Sequence, residues 1–181
     1  AKLGGATLTN NAKLDNALLS KADLTGADLS SATLTGATLT SAKLNTATLT
    51  GTDLTGADLT SADLTGATLT NVVISATTIL TSAKLINANL SSANLSAADL
   101  TSIEMAKADL TGADLTSTTL ISANLAGAKL GGANLTSANL TGGAKLSKAD
   151  LTGANLTSAD LNGADLTGAK LSNATLTGMD I

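Results

Sequence analysis

The stretch Ala57-Asp58-Leu59-Thr60-Ser61-Ala62-Asp63-Leu64-Thr65-Gly66-Ala67-Thr68-Leu69-Thr70 decides the fold. Its unit is five residues: Ala, a polar residue, Leu, Thr or Ser, then Gly or Ser. The same unit fills the chain from Leu3 to Ile181. Of 36 unit centres, 33 are Leu and the others are Ile74, Met105 and Ile181. Ala stands two residues before 30 of the 36 centres, the exceptions being Thr52, Val72, Thr78, Ile103, Thr118 and Met179. Single-residue insertions interrupt the period between Leu8 and Leu14, between Ile74 and Leu85, and between Leu140 and Leu146. The middle one is placed before Leu80, although a position before Leu85 also satisfies the spacing.

A helix cannot use this period. Leu residues five apart would sit about 140° apart around the axis, so no apolar stripe would form. Frequent Thr and Gly also disfavour helix. An uninterrupted strand fails as well, because a repeat of odd length would send successive Leu residues to opposite faces. What remains is a short extended Ala-X-Leu segment with Ala and Leu inward and X outward. The Thr-Gly or Thr-Ser pair then turns a corner, where Gly accepts positive φ and Ser or Asn bonds the local backbone. Stacked coils bury the Leu and Ala of their neighbours.

Composition narrows the chemistry. The 181 residues include no Phe, Tyr, Trp, Pro, Cys, His or Arg, so core volume must come from Leu and Ala. Without imidazole or thiol, Ser-His, Cys-His and zinc sites are excluded. No phosphate-binding glycine loop is present; the glycines mark corners. Net charge is -4, from 14 acidic residues and 10 Lys, too mild to name a charged partner. No run reaches the roughly 18 apolar residues of a membrane helix. Neither a basic groove nor an aromatic platform for nucleic acid is present. Catalytic, cofactor and metal sites are therefore all expected to be absent.

The tandem A(D/N)LXX units, such as Ala108-Asp109-Leu110-Thr111-Gly112 and Ala133-Asn134-Leu135-Thr136-Ser137, resemble the pentapeptide-repeat family over essentially all 181 residues. The resemblance implies an all-β fold: a right-handed, quadrilateral parallel β-helix with four pentapeptides per coil. Family members usually mix Phe with Leu at the centre, and many carry a terminal helix or dimerising cap. Neither feature occurs in this sequence.

Four sides are also legible in the charges. Aligning every fourth unit puts Lys2, Asp23, Lys43, Asp63, Lys84, Glu104, Asn124, Lys145 and Asp165 in one column. Apart from Asn124, sign alternates down it. A second column carries Asp109, Lys129, Asp150 and Lys170. Four-unit stacking gives nine opposite-charge neighbours and one like pair, Asp160 over Asp180; three-unit stacking gives six and four. Opposite pairs on adjacent strands stabilise by roughly 0.2–1 kcal/mol and like pairs destabilise. On this reading the insertions are bulges that leave the stacking intact. One domain, residues 1–181, then contains nine coils and extends for about 43 Å.

Several surface features carry competing readings. Paired carboxylates such as Asp53 and Asp58 fall on different sides of a coil and read as outward solubilising groups. Glu104 lies between Lys84 and Asn124, which points to an ion pair. N-x-S/T matches at Asn89, Asn94, Asn134, Asn139 and Asn155 follow automatically from the repeat, and the one at Asn173 comes from a corner. Threonine pairs such as Thr48-Leu49-Thr50 resemble the arrays of ice-binding solenoids, but one such rung stacks directly on another only at Thr48 and Thr68. Outward apolar residues include Leu18, Val73, Ile79 and Ile121. Ile86, Ala106 and Ala126 share a corner column and form a candidate lateral stripe.

Two functions follow as expectations. Solenoids need capped ends, and repeats here run from Ala1 to Ile181, so the chain is expected to be a non-enzymatic structural protein that stacks head-to-tail on itself into a filament. The predicted end contact comprises Lys2, Leu3, Asp165 and Ile181, and Asp165 of one copy would face Lys2 of the next. The charge ladder Asp23, Lys43, Asp63, Lys84 and Glu104 would continue through it. The partner is then a second copy, with no nucleic acid and no membrane. The alternative is a protein-binding module, such as the DNA-mimicking topoisomerase modulators that the family resemblance implies. That role needs rows of uncompensated carboxylates, and Lys residues stand between those of this chain. Opening at Ala1 without Cys suits an exported, processed subunit at the cell surface or outside it, and equally a trimmed form.

Overall fold

A computed structural model describes residues 1–9 and 11–181. Parallel bridges join outward residues to those 20 or 21 positions later: Lys2 to Asp23, Asp23 to Lys43, Lys43 to Asp63. A return after four pentapeptides makes the coil four-sided. The first face carries Lys2, Asp23, Lys43, Asp63, Lys84, Glu104, Asn124, Lys145 and Asp165. The second runs from Thr7 through Asp28, Thr48, Thr68, Asn89 and Asp109 to Lys170. Lys13, Thr33, Asp53, Val73 and Asn94 begin the third, and Leu18, Thr38, Asp58 and Ile79 the fourth.

Two hydrogen-bond sets hold this shape. Between coils, the Leu N–H donates to the outward residue's carbonyl above, as Leu24 does to Lys43 at 2.8 Å. In return the upper outward N–H donates to the Ala carbonyl below, as Lys43 does to Ala22 at 2.9 Å. At corners without an insertion, the N–H of the next inward residue closes a turn on the preceding Leu carbonyl, for example Ala27 to Leu24 at 2.9 Å. The fifth residue of the unit takes positive φ whatever its identity: Gly26 at 65°, Ser31 at 58°, Ala97 at 57° and Lys107 at 60°. That is the third position of a type II turn, which glycine enters without strain.

The core is one continuous cluster of Ala and Leu from Ala22 to Leu161. Three threonines replace its alanines. Thr52 and Thr78 are buried and donate their hydroxyls to the carbonyls of Leu29 and Leu54 at 2.9 and 2.8 Å. Thr118 does the same to Leu115. Burial of these hydroxyls is thereby compensated.

The insertions differ in effect. The first spans Asn10, which lies outside the described residues, and the bridges on either side, Thr7 to Asp28 and Lys13 to Thr33, are made. The third is absorbed at Gly142 and Gly143, both at positive φ, and Asn124 still pairs with Lys145. The middle insertion lies before Leu80: Asp58 pairs with Ile79, and Thr78 fills the inward Ala place. Contrary to expectation it does not leave the stacking intact. Ile79 has no bridge to Asp99 above it among the described residues. Two bulky inward residues at Ala and Leu positions, Ile103 and Met105, follow in the coil above. The gap on the fourth face thus lies between the extra chain below and, just past the next corner, the larger Ile103 at an Ala position.

Candidate functional site

The outward position of the unit carries most of the charged residues, and its Asp and Asn are, with few exceptions, tied to the corner that follows. Asp58 Oδ1 accepts the Thr60 N–H at 2.9 Å and the Thr60 hydroxyl at 2.6 Å. Asp28 does the same with Ser30, Asp114 with Thr116, Asn94 with Ser96 and Asn155 with Thr157. Asp and Asn are therefore turn-forming acceptors and not merely solubilising groups. The signal was available as an Asp or Asn followed two residues later by Thr or Ser.

These contacts set the acidity. Hydroxyl donation from the residue two positions on, then its backbone N–H, holds Asp23, Asp28, Asp58, Asp150 and Asp165 below the usual carboxylate range. At Asp63 and Asp109 partial burial pushes the other way, but hydroxyl and backbone donors together with lysine outweigh it.

The predicted charge ladder is stacked but loosely engaged. Asp23, Lys43, Asp63, Lys84 and Glu104 are successive bridge partners on the first face. Among the described residues, however, ion pairs form only on the second face, Lys129 with Asp109 at 3.2 Å and Lys170 with Asp150 at 3.7 Å. Glu104 is not paired with Lys84; its carboxylate accepts from the Asn124 side-chain amide at 2.7 Å. Exposed lysines gain little from holding one rotamer against a single carboxylate, and an amide fixed by its own turn is the better partner.

Ile86, Ala106 and Ala126 do fall on successive turns of one corner, but all three are half-buried. Leu18 and Ile79, exposed by 87% and 48%, share the fourth face, with Thr38 and Asp58 between them. Val73 lies on the third face. The outward apolar residues therefore make no continuous stripe. Lys2 and Leu3 lie at one end of the stack and Asp165 and Ile181 at the other, Lys2, Asp165 and Ile181 exposed and Leu3 half-buried.

Two concavities open at the middle insertion. A cleft of about 330 Å³ is lined by Thr81, Ser82, Asp99, Thr101 and Ser102. Beside it a smaller one of about 150 Å³ is lined by Ala76, Thr78, Ile79, Leu80, Thr81 and Asp99. Among the described residues no cluster of three or more His, Cys, Asp or Glu is placed to hold a metal ion, and no helix is long and apolar enough to cross a membrane.

Comparison with known sequences agrees with this geometry. The pattern described as pentapeptide repeats matches in eight copies, over residues 1–40, 39–75, 78–116, 103–142 and 143–178. The chain belongs to the pentapeptide-repeat family. Its fold is that of the family, a right-handed quadrilateral β-helix.

Among solved structures, one similar pentapeptide-repeat protein is HetL, involved in heterocyst differentiation regulation in the cyanobacterium Nostoc sp. strain PCC 7120. It is 39% identical, over 98% of this chain and 88% of that one, with a TM-score of 0.60. QnrB1, a plasmid-mediated fluoroquinolone resistance protein, is 19% identical over 93% of this chain and 87% of its own, with a TM-score of 0.52. That likeness is one of fold alone. No curated protein matches. A pentapeptide-repeat protein spends its inward Ala and Leu and its corner residues on the coil, so identity within the family is concentrated at positions that never meet a partner.

Proposed function

We propose that the chain is a non-enzymatic structural rod whose working contact is end-to-end stacking on a second copy. The observation that carries this reading is the complementarity of its two edges. Inside the stack, Leu146 donates to Asp165 at 2.8 Å and Asp165 donates to Ala144 at 2.9 Å. At the far edge, Leu166 and Leu171 have no backbone acceptor among the described residues, and at the near edge the carbonyls of Lys2 and Thr7 have no backbone donor. Carrying the register of Lys145, Asp165 and their bridge one step further seats Lys2 of the next copy over Asp165. It seats Thr7 over Lys170, Lys13 over Thr175 and Leu18 over Asp180.

Burial adds to the pairing. Leu176 and Ile181 are exposed at the far edge and Leu3 is half-buried at the near one. Each Leu or Ile fully covered contributes roughly 1.5–3 kcal/mol, against an association cost of about 4–15 kcal/mol. Several such residues and a ring of ladder bonds act together at one junction in favour of stacking, and a heterologous contact of this kind propagates into an open filament.

Negative-stain microscopy and sedimentation of residues 1–181 across concentration test it. The expected result is rods in multiples of one length, shortened by Lys2→Asp, which sets Asp against Asp165. Monomers at every concentration, or a Lys2→Asp chain that assembles as before, would overturn the reading.

The alternative of a DNA mimic has less support. Duplex DNA presents one charge per about 1.7 Å, hence about 25 along a rod of this length. This chain carries a net charge of -4 and interleaves lysine with its carboxylates on the first and second faces.

A further inference from the structure

The seam at the middle insertion is a mechanical feature of the stack and does not depend on how the ends assemble. The two coils that meet there are closed on three faces. On the first, Leu64 donates to Lys84 at 2.8 Å and Lys84 to Ala62 at 3.0 Å. On the second, Leu69 donates to Asn89 at 2.6 Å and Asn89 to Ala67 at 2.9 Å. The third is held by Ile74 to Asn94 and Asn94 to Val72, both at 2.9 Å. On the fourth face the equivalent donors are the N–H groups of Leu80, Ser82 and Asp99. None of them has a backbone acceptor among the described residues, and neither does Glu104, the next outward residue, on the adjoining first face.

Both clefts occupy this gap. Thr81, Ser82, Asp99, Thr101 and Ser102, which line the larger one, are all exposed, so water reaches the unpaired backbone groups. The separation has a cause on each side. Below, Ser75–Thr78 holds the extra residue in a closed local turn, with Thr78 N–H on the Ser75 carbonyl at 3.0 Å and Ser75 N–H on the Thr78 hydroxyl at 3.2 Å. Above, just past the corner that follows Asp99, Ile103 puts a larger side chain where Ala otherwise stands, beside the unpaired N–H of Glu104. Ile79, apolar and half exposed, sits at the lip with no bridge to Asp99 above it among the described residues.

We infer that this seam is a built-in hinge: the rod bends by opening and closing the fourth face between residues 78–83 and 99–104, about the intact ladder of the opposite, second face. Elsewhere, bending must break interstrand bonds on at least one side. At the seam those bonds are already exchanged for water, so opening there costs only the packing of a few side chains. A uniform repeat gives a straight rod with no preferred direction of flexure; one open face supplies both a place and a direction.

Amide hydrogen exchange resolved by NMR reads this directly in the unmodified chain. The N–H groups of Leu80, Ser82 and Asp99 are expected to exchange on the order of 100-fold faster than those of Leu69, Asn71 and Asn89, which close the opposite face of the same two coils. Equal protection on the two faces would overturn the hinge. Deleting Ala76 in combination with Ile103→Ala removes both causes of the gap, and is expected to slow exchange at Leu80 and Ser82 to the level of their neighbours. A folded deletion variant that still exchanges rapidly there would refute the assigned cause, and the comparison within the unmodified chain stands whether or not that variant folds.

Discussion

At the scale of the residue, the corner is where sequence and conformation are in tension. Corners outside the middle insertion use positive φ, and glycine satisfies it at no steric cost, yet serine, asparagine, lysine, alanine and threonine also serve. Thr46, at φ 56°, is the most costly of these because a β-branched side chain crowds the left-handed region. Its hydroxyl bonds the neighbouring Asn45 carbonyl at 2.7 Å, a partial compensation. Thr46→Gly is therefore expected to stabilise the fold by about 1 kcal/mol, the left-handed penalty less the entropy that glycine gains in the unfolded chain. Urea unfolding measures it, and a variant less stable than the parent would contradict the argument. That Gly or Ser should turn the corner was legible from the fifth position of the repeat. The role of Asp and Asn was not, because an outward polar residue satisfies the alternation whether it faces water or caps its own turn. Only the recurrent Thr or Ser two residues on, as in Asp58-Leu59-Thr60, distinguishes the two.

The element of this fold is the coil, and its energy lies in side chains that touch only the coil above and below. Leu110 is completely buried on the second face among Ala and Leu. Leu110→Ala is expected to cost about 2–5 kcal/mol, since rigid ladders on every side prevent collapse into the cavity. Because repeat contacts are nearest-neighbour, the loss of protection should be centred on Leu90 and Leu130 and should fade toward the ends. Uniform loss along the whole stack in hydrogen exchange would show that the coils do not behave as separable units. Coil size and its four faces were readable in advance from the five-residue period and from the alternation of Asp23, Lys43 and Asp63. Contact was not. Alternation reports which residues stack, whereas an ion pair also requires a long lysine to give up its freedom, and on the first face it does not. The seam was equally hidden: a spacing of six from Ile74 to Leu80 announces an extra residue, but whether the ladder closes over it depends on its surroundings in the next coil, where Ile103 stands at an Ala position.

For the whole molecule, the outward carboxylates add their small contributions with the same sign, and pH exposes the sum. Asp23, Asp28, Asp58, Asp63, Asp109, Asp150 and Asp165 all ionise more readily in the folded chain than at the ordinary carboxylate value, chiefly through Thr and Ser donors. A depressed folded value means the stabilisation is complete above the unfolded pKa, about 3.9, and disappears as pH falls through the folded value. With no His in the chain, no side chain introduces a comparable step between pH 5 and 8. The denaturant midpoint should therefore be flat from pH 7 to 5 and fall steeply below pH 4. Asp58→Asn keeps the Oδ1 acceptor for Thr60 while removing the titrating proton, so this variant should lose less stability on acidification than its parent. If the drop were instead due to general repulsion among protonated lysines, added salt would abolish it and the Asn variant would behave like the parent. Persistence of the drop in high salt, with a smaller fall in the Asn variant, assigns acid sensitivity to the turns that close the coil.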